Sequence, residues 1–139
     1  MNVENKLVAN KEQIRGFMKE DAGTPVHMVN LLKFKDKAEY EDGRETDLTG
    51  QQAYAIYSAE IKGHIEKVGG QIVFEGQVSQ LLVGEVEDLW DMIAVVRYPD
   101  VQAMVKMTSD PAYSEIAIHR IAGLEGQLNI KTLEGPLTP

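Results

Sequence analysis

Cysteine is absent from the 139-residue chain. Disulfides, zinc–thiolate centres, iron–sulfur clusters and thiol nucleophiles are thereby excluded. Basic residues are in short supply. Fourteen lysines and arginines stand against 22 acids, for a formal charge of -8. Such a surface argues against non-specific binding to nucleic acid or to anionic membrane. No apolar run approaches the roughly 18–20 residues that span a bilayer. Residues 1–6 lack the apolar centre of a signal peptide, and no Asn-x-Ser/Thr site occurs. A cytoplasmic protein without membrane or nucleic-acid partners is the expectation. The common catalytic signatures are missing too: no glycine-rich phosphate loop, dinucleotide fingerprint, Gly-x-Ser-x-Gly elbow or His-Glu-x-x-His. Kinase, dehydrogenase, serine hydrolase and zinc protease readings are weakened by this, although unusual catalysts are not excluded.

What is present suffices for a core. With 43% hydrophobic and 26% charged residues, the chain has the composition of an ordinary globular domain. Its length predicts a single domain, 1–139. Residues 1–24 form an N-terminal helical extension in this reading, and 25–134 the core. Asn10 and Gln13 have capping-box spacing ahead of the short apolar stripe Ile14, Phe17, Met18. Val26 to Phe34 reads as a strand. Residues 35–49 carry nine charges among fifteen positions and a turn signal at Asp42-Gly43. They predict a solvated, mobile excursion or a flap over a pocket mouth. Their six carboxylates lack the spacing of a calcium loop. Thr49 and Gln52 then open a long helix with Tyr54, Tyr57, Ile61, Ile65 and Val68 on one face, stopped by Gly69-Gly70. Residues 71–84 read as a bent strand or tight hairpin with a bulge at Gly76, and 85–90 as a turn. A strand over 91–98, a helix capped by Asp100, a second helix from Asp110-Pro111 to about Leu124, and a strand over 127–133 complete the pattern.

Strand, helix, strand, strand, helix, strand is the ferredoxin-like βαββαβ order, an α+β fold with an antiparallel sheet and both helices on one face. An antiparallel sheet with one wet face alternates apolar and polar residues. These strands do not: Val29 and Leu31 oppose Val26, Met28, Leu32 and Phe34, and Ile93 and Val95 oppose Met92, Ala94, Val96 and Tyr98. One face takes the helices. The other needs the N-terminal helix or, more economically, a second copy of the chain in a sheet-on-sheet homodimer.

The segments Val29-Asn-Leu-Leu-Lys-Phe34, Gly50-x-x-Ala53-Tyr54-x-x-Tyr57, Val68-Gly-Gly70, Arg97-Tyr-Pro99 and Asp110-Pro-x-Tyr113 with Arg120 downstream resemble the bacterial family called domain of unknown function 1330. The likeness covers roughly residues 26–133. It implies membership of the dimeric α+β barrel superfamily, a homodimer whose two sheets close a barrel, and no particular reaction. Superfamily relatives include cofactor-independent monooxygenases, haem-degrading enzymes, lactone isomerases and ligand-sensing domains, so activity does not transfer by fold.

Several side chains could carry chemistry. Asn30 shares a strand face with apolar neighbours, so its amide needs a structural partner or a ligand. Arg120 falls on one helix side with Tyr113, Ile116, Ala117 and Leu124. It needs an acid such as Asp110, or it clamps an anionic ligand. Tyr54 and Tyr57 are core residues or line a cavity rim with their hydroxyls. Trp90, the sole tryptophan, plugs a barrel end, packs at the dimer interface or shapes the pocket. His27, His64 and His119 show no metal-site spacing, and no metal or cofactor is expected. His119 reads as a surface partner of Glu115. As catalytic candidates, His119, His64 and Tyr54 remain, with no acid–base pair standing out. Asn30, Arg120, Tyr54, Tyr57, Tyr113 and Trp90 are the ligand-binding candidates, for a small anionic or aromatic molecule. Two readings stay open: a ligand-binding homodimer of unknown activity, or a cofactor-independent monooxygenase- or isomerase-like enzyme acting on a polar aromatic or a carboxylate.

Overall fold

The computed structural model describes residues 3–20 and 23–138. Helix α1 (Lys11–Lys19) opens with a closed capping box. The Asn10 side chain accepts from the Gln13 amide at 2.8 Å, and Gln13 Oε1 accepts from the Asn10 amide at 3.1 Å. Strand β1 (Val26–Phe34) leads through residues 35–49 to α2 (Gly50–Lys67), where Thr49 and Gln52 repeat the same device. Strands β2 (Gln71–Gln77) and β3 (Met92–Tyr98) follow. Asp100 caps α3 (Val101–Thr108), and Asp110 caps α4 (Pro111–Gly123), whose proline occupies a first-turn position that needs no N–H. Strand β4 (Leu124–Leu133) continues from α4 without a loop, three residues earlier than the sequence suggests.

All pairings are antiparallel and the order is β2-β3-β1-β4, which with the two crossing helices α2 and α4 is the ferredoxin-like arrangement. The core lies on one side of the sheet. Val26, Met28, Val96 and Tyr98 meet Tyr57, Ile61, Ile65, Val101, Met107 and Ile116 in one buried cluster. Phe17 of α1 packs on this same cluster, so the N-terminal helix lies with the others and leaves the far face uncovered. That far face carries Val29 and Leu31 of β1, opposite Val95 and Ile93 of β3 and Ile130 and Leu128 of β4. Phe74 and Ile130 there are 55% and 43% exposed.

Two expectations are corrected. Residues 35–49 are packed rather than loose. Ala38 and Tyr40 are buried against Ala53 and Ala122, with Leu48 alongside. The backbone is tied by Lys35 N–H to Gly123 O (2.8 Å), Glu39 N–H to Ala122 O (3.0 Å) and Ala38 N–H to Leu48 O (3.0 Å). A charged majority hid a few well-placed apolar residues, and the main chain found its own partners. The approach is made close by two glycines. A Cβ on Gly50 would overlap the carbonyls of Lys35 and Gly123, and one on Gly123 would overlap the backbone of Gly50 and Tyr54. The second correction concerns β2. Its register shifts between Ile72 and Phe74, not at Gly76, and Gly76 instead lies under the Phe74 ring. The last paired residue of the strand is Gln77, opposite Met92, and one further bond runs from Val78 N–H to the Asp91 carbonyl at 2.9 Å. Leu82 and Val83 in the following segment are exposed rather than hairpin residues.

Candidate functional site

The period-two faces of β1, β3 and β4 and the inner stripes of α2 and α4 enclose a cavity of about 520 Å³. Its sheet floor includes Met28, Asn30, Ala94 and Val96. Its helical roof includes Tyr54, Tyr57, Ile61, Tyr113 and Arg120. Residues 7–9 and Ile14 close it at the β4 side. A void of this size suits a small molecule.

One wall is a hydrogen-bonded row. The Asn30 amide nitrogen donates to the Ala94 and Met28 carbonyls at 3.2 and 3.3 Å. Its oxygen accepts from Gln127 Nε2 at 2.7 Å. Gln127 Oε1 in turn accepts from Arg120 Nη2, which also donates to the Leu7 carbonyl. Among the described residues every partner of Arg120 is therefore neutral. Asp110, the acid the sequence offers for it, is occupied elsewhere. Its carboxylate accepts from the Ala112 amide at 2.9 Å as the α4 cap, and Lys67 lies 3.9 Å away. Among the described residues no carboxylate forms an ion pair with Arg120. Only Nη2 is engaged among the described residues, which leaves Nε and Nη1 as further donors on a residue that lines the cavity.

The helical roof is aromatic, and its ring row runs on to Phe34, outside the cavity lining. Phe34, Tyr54, Tyr57 and Tyr113 follow one another with ring centroids 5.5, 5.4 and 6.4 Å apart. The Tyr57 and Tyr113 hydroxyls are 3.5 Å apart, too far for a strong bond. Burial pushes the Tyr54 phenol up to about 12, with Arg120 opposing in part. Burial likewise drives Tyr57 and Tyr98 far above the usual phenol range. These three hydroxyls are proton-bearing at neutral pH and act as donors or polar contacts, not as bases.

Arg120 and Glu75 are the only charged side chains that line the cavity among the described residues. A second, more polar cavity of about 660 Å³ lies between the start of α2 and β2 and shares Tyr54, Ser58, Glu75 and Met92 with the first.

The structure brings five of the six ligand-binding candidates, Asn30, Arg120, Tyr54, Tyr57 and Tyr113, around this one space. Trp90 is not among the lining residues; it precedes Asp91, whose carboxylate accepts from the Phe34 amide at 2.8 Å. His64 and His119 are also outside the lining. His119 pairs with the buried Tyr40 rather than with Glu115, since its Nδ1 lies 2.7 Å from the Tyr40 hydroxyl. His27 lies 3.7 Å from Glu134. No group of three or more metal-ligating side chains occurs among the described residues. Sequence reasoning missed Gln127 and Glu75. The signal for Gln127 was the alternation Gln127, Asn129 on one face of the last strand. It is hidden because the sequence pattern starts the strand at that residue, whereas Gln127 sits inside it, opposite Leu32.

Solved structures similar to this chain include one from Rhodopseudomonas palustris. A crystal structure of a protein of unknown function is 34% identical, covers 98% of this chain and 100% of that chain, and superposes with a TM-score of 0.84. The methylated form of that protein is 37% identical over 97% of each chain, with a TM-score of 0.85. An uncharacterised NIPSNAP-like domain protein from Burkholderia xenovorans shares the fold alone, at 11% identity over 84% of this chain and 90% of that one, with a TM-score of 0.51. No curated protein matches. Among the described residues no helix is long and apolar enough to cross a membrane. A family model matches residues 43–133, and the chain belongs to that family, described as a domain of unknown function (DUF1330).

Proposed function

We propose that this protein is a cytoplasmic homodimer that binds a small amphipathic anion, with the acidic group on Arg120 and the apolar body against the tyrosine wall. The observation that carries the reading is Arg120 itself. It is a half-buried guanidinium bordering a cavity, with donors to spare and only neutral partners among the described residues. A planar two-oxygen anion meets its fork in a way no neutral group does. The body of the cavity, with Met28, Ile61 and Ile65 beside Tyr54 and Tyr57, favours an aromatic or aliphatic remainder.

The dimer supplies the cover for the far sheet face. Val29, Leu31, Ile93, Val95 and Leu128 are half-buried within one chain, and Phe74 and Ile130 are exposed. A second copy packed sheet on sheet would remove this patch from water. Binding is favoured over catalysis by the cavity's own groups. Its buried phenols hold their protons, and neither His64 nor His119 reaches it. A monooxygenase- or isomerase-like reaction would have to take its proton through Glu75, the one carboxylate among the described residues that lines the space.

The test is a thermal-shift panel of aromatic and aliphatic carboxylates beside their primary amides. Carboxylates are expected to raise Tm in the native protein by mass action, and Arg120→Gln is expected to abolish that rise. Equal shifts from acids and amides, or shifts that survive Arg120→Gln, would refute the reading.

A further inference from the structure

Residues 3–9 run along the free edge of β4 as a narrow strap. Lys6 and Gln127 exchange two backbone hydrogen bonds, of 3.4 and 3.0 Å, as an isolated antiparallel bridge. On one side of this bridge Asn5 rests on Gly126, where a Cβ would overlap the asparagine side chain. On the other, the Leu7 carbonyl accepts from Arg120. Leu7, Val8 and Ala9 border the cavity, yet Val8 is 75% exposed. The strap also lies outside the segment 43–133 that the family model matches.

Both two-donor edges of the guanidinium, Nε with Nη2 and Nη1 with Nη2, include Nη2, so a two-oxygen anion needs the donor that the Leu7 carbonyl holds. That carbonyl offers lone pairs to the guanidinium but brings no charge. A hydrogen bond from arginine to a carboxylate is roughly twice as strong as one to a neutral acceptor. Among the described residues the rest of the strap is held by one bridge, one glycine contact and the edge of the cavity, and most of its residues are exposed.

We propose that residues 3–9 form a displaceable strap, in which the Leu7 carbonyl occupies the ligand's seat on Arg120 and is released when an anion binds. The inference rests on the anion-binding reading above. While the strap is closed, Arg120 is only fractionally available, and apparent affinity is reduced by that fraction. The strap thus sets the ligand concentration at which the site responds, and its release reports occupancy at the outer edge of the sheet.

The probe is 2-naphthoate, titrated calorimetrically into the full chain, with 2-naphthamide as the neutral control. Two full-length variants loosen the strap independently. Gly126→Ala displaces Asn5, and Lys6→Pro removes the amide that donates to Gln127. Lys6 is exposed, so its replacement leaves the core intact even if Gly126→Ala disturbs β4. Each variant is expected to bind naphthoate about tenfold more tightly than the native chain. Added naphthoate is expected to speed amide exchange at Lys6 and Gln127. Unchanged or weaker affinity in the Lys6→Pro variant, or slower exchange at Lys6 on binding, would overturn the strap. If those results appear while binding still depends on Arg120, the anion site stands without the strap. If naphthoate binds no variant in an Arg120-dependent way, both readings fall.

Discussion

Replacing Arg120 by leucine tests whether the guanidinium serves a ligand or the fold. Were it the partner of a buried carboxylate, the change would strand a charge and cost on the order of 3–5 kcal/mol. The structure predicts less. The acceptors left behind are the Gln127 side-chain oxygen and the Leu7 carbonyl, both neutral. An orphaned buried neutral acceptor costs about 1–3 kcal/mol. The Leu7 carbonyl belongs to a strap at the surface, where water can replace the lost donor. Leucine also retains much of the apolar contact that the arginine stem made on α4. The expected total is about 1–3 kcal/mol, which for a domain of this size lowers Tm by roughly 3–10 °C. The assay is a melting curve at fixed protein concentration, repeated between pH 3 and pH 8. With no carboxylate stranded, the gap between Arg120→Leu and native protein should be flat across that range. A loss above about 4 kcal/mol would refute the reasoning. So would a gap that widens as pH rises through the carboxylate range near 4, since an unpaired acid destabilises only once ionised.

Three further outcomes are expected. Leu31→Lys and Val95→Lys lie on the far sheet face rather than under the helices; each should leave the circular dichroism spectrum unchanged and halve the mass seen by light scattering, and an unaltered mass would remove the dimer. Tyr54 should escape alkaline titration. Its pKa is raised from 10.0 to about 12, so the unfolded chain ionises first, stability from this group holds below pH 10 and falls as pH rises between those values, and ultraviolet titration of the native protein showing every tyrosine ionising near 10 would contradict the burial. Tyr40→Ala should cost about 3–5 kcal/mol in denaturant melts, and Tyr40→Phe about 1 kcal/mol for the bond to His119, because residues 35–49 are anchored rather than loose; near-zero values for both would restore the solvated loop.

The fold was legible because its signals are local and repeated. Capping boxes at Asn10 and Thr49, proline after Asp110 and two-sided apolar strands each name an element boundary or a face, and together they admit few topologies. The candidate site was legible only where a polar residue interrupts an apolar stripe, as Asn30 and Arg120 do. Their connection was not, because Gln127 looks ordinary in a strand and its significance comes from standing between two residues 90 positions apart. The loop misled for a related reason. Composition averages over fifteen residues, whereas burial was decided by Ala38, Tyr40 and the main-chain bonds to the end of α4. Nothing in the local sequence states that Gly123 will accept from Lys35.

The row from Ala94 through Asn30 and Gln127 to Arg120 has a direction, and the direction is written in the main chain. The carbonyls of Met28 and Ala94 can only accept, so the Asn30 amide must turn its nitrogen toward them and its oxygen toward Gln127. Gln127 is thereby forced to present its own oxygen to the arginine. Acceptors are consumed at each step, and the row terminates in spare donors at the guanidinium. A visiting molecule meets a wall with polarity of one sense, and orientation is imposed on it before any contact with the rings. The same logic makes position 127 a chemical hinge. Exchanging its amide nitrogen for oxygen, as in Gln127→Glu, would give Arg120 a resident counter-ion and set two acceptors against each other at Asn30. Under the anion-binding proposal, a single atom in the sheet would then turn a site for anions into a pocket that no longer needs one.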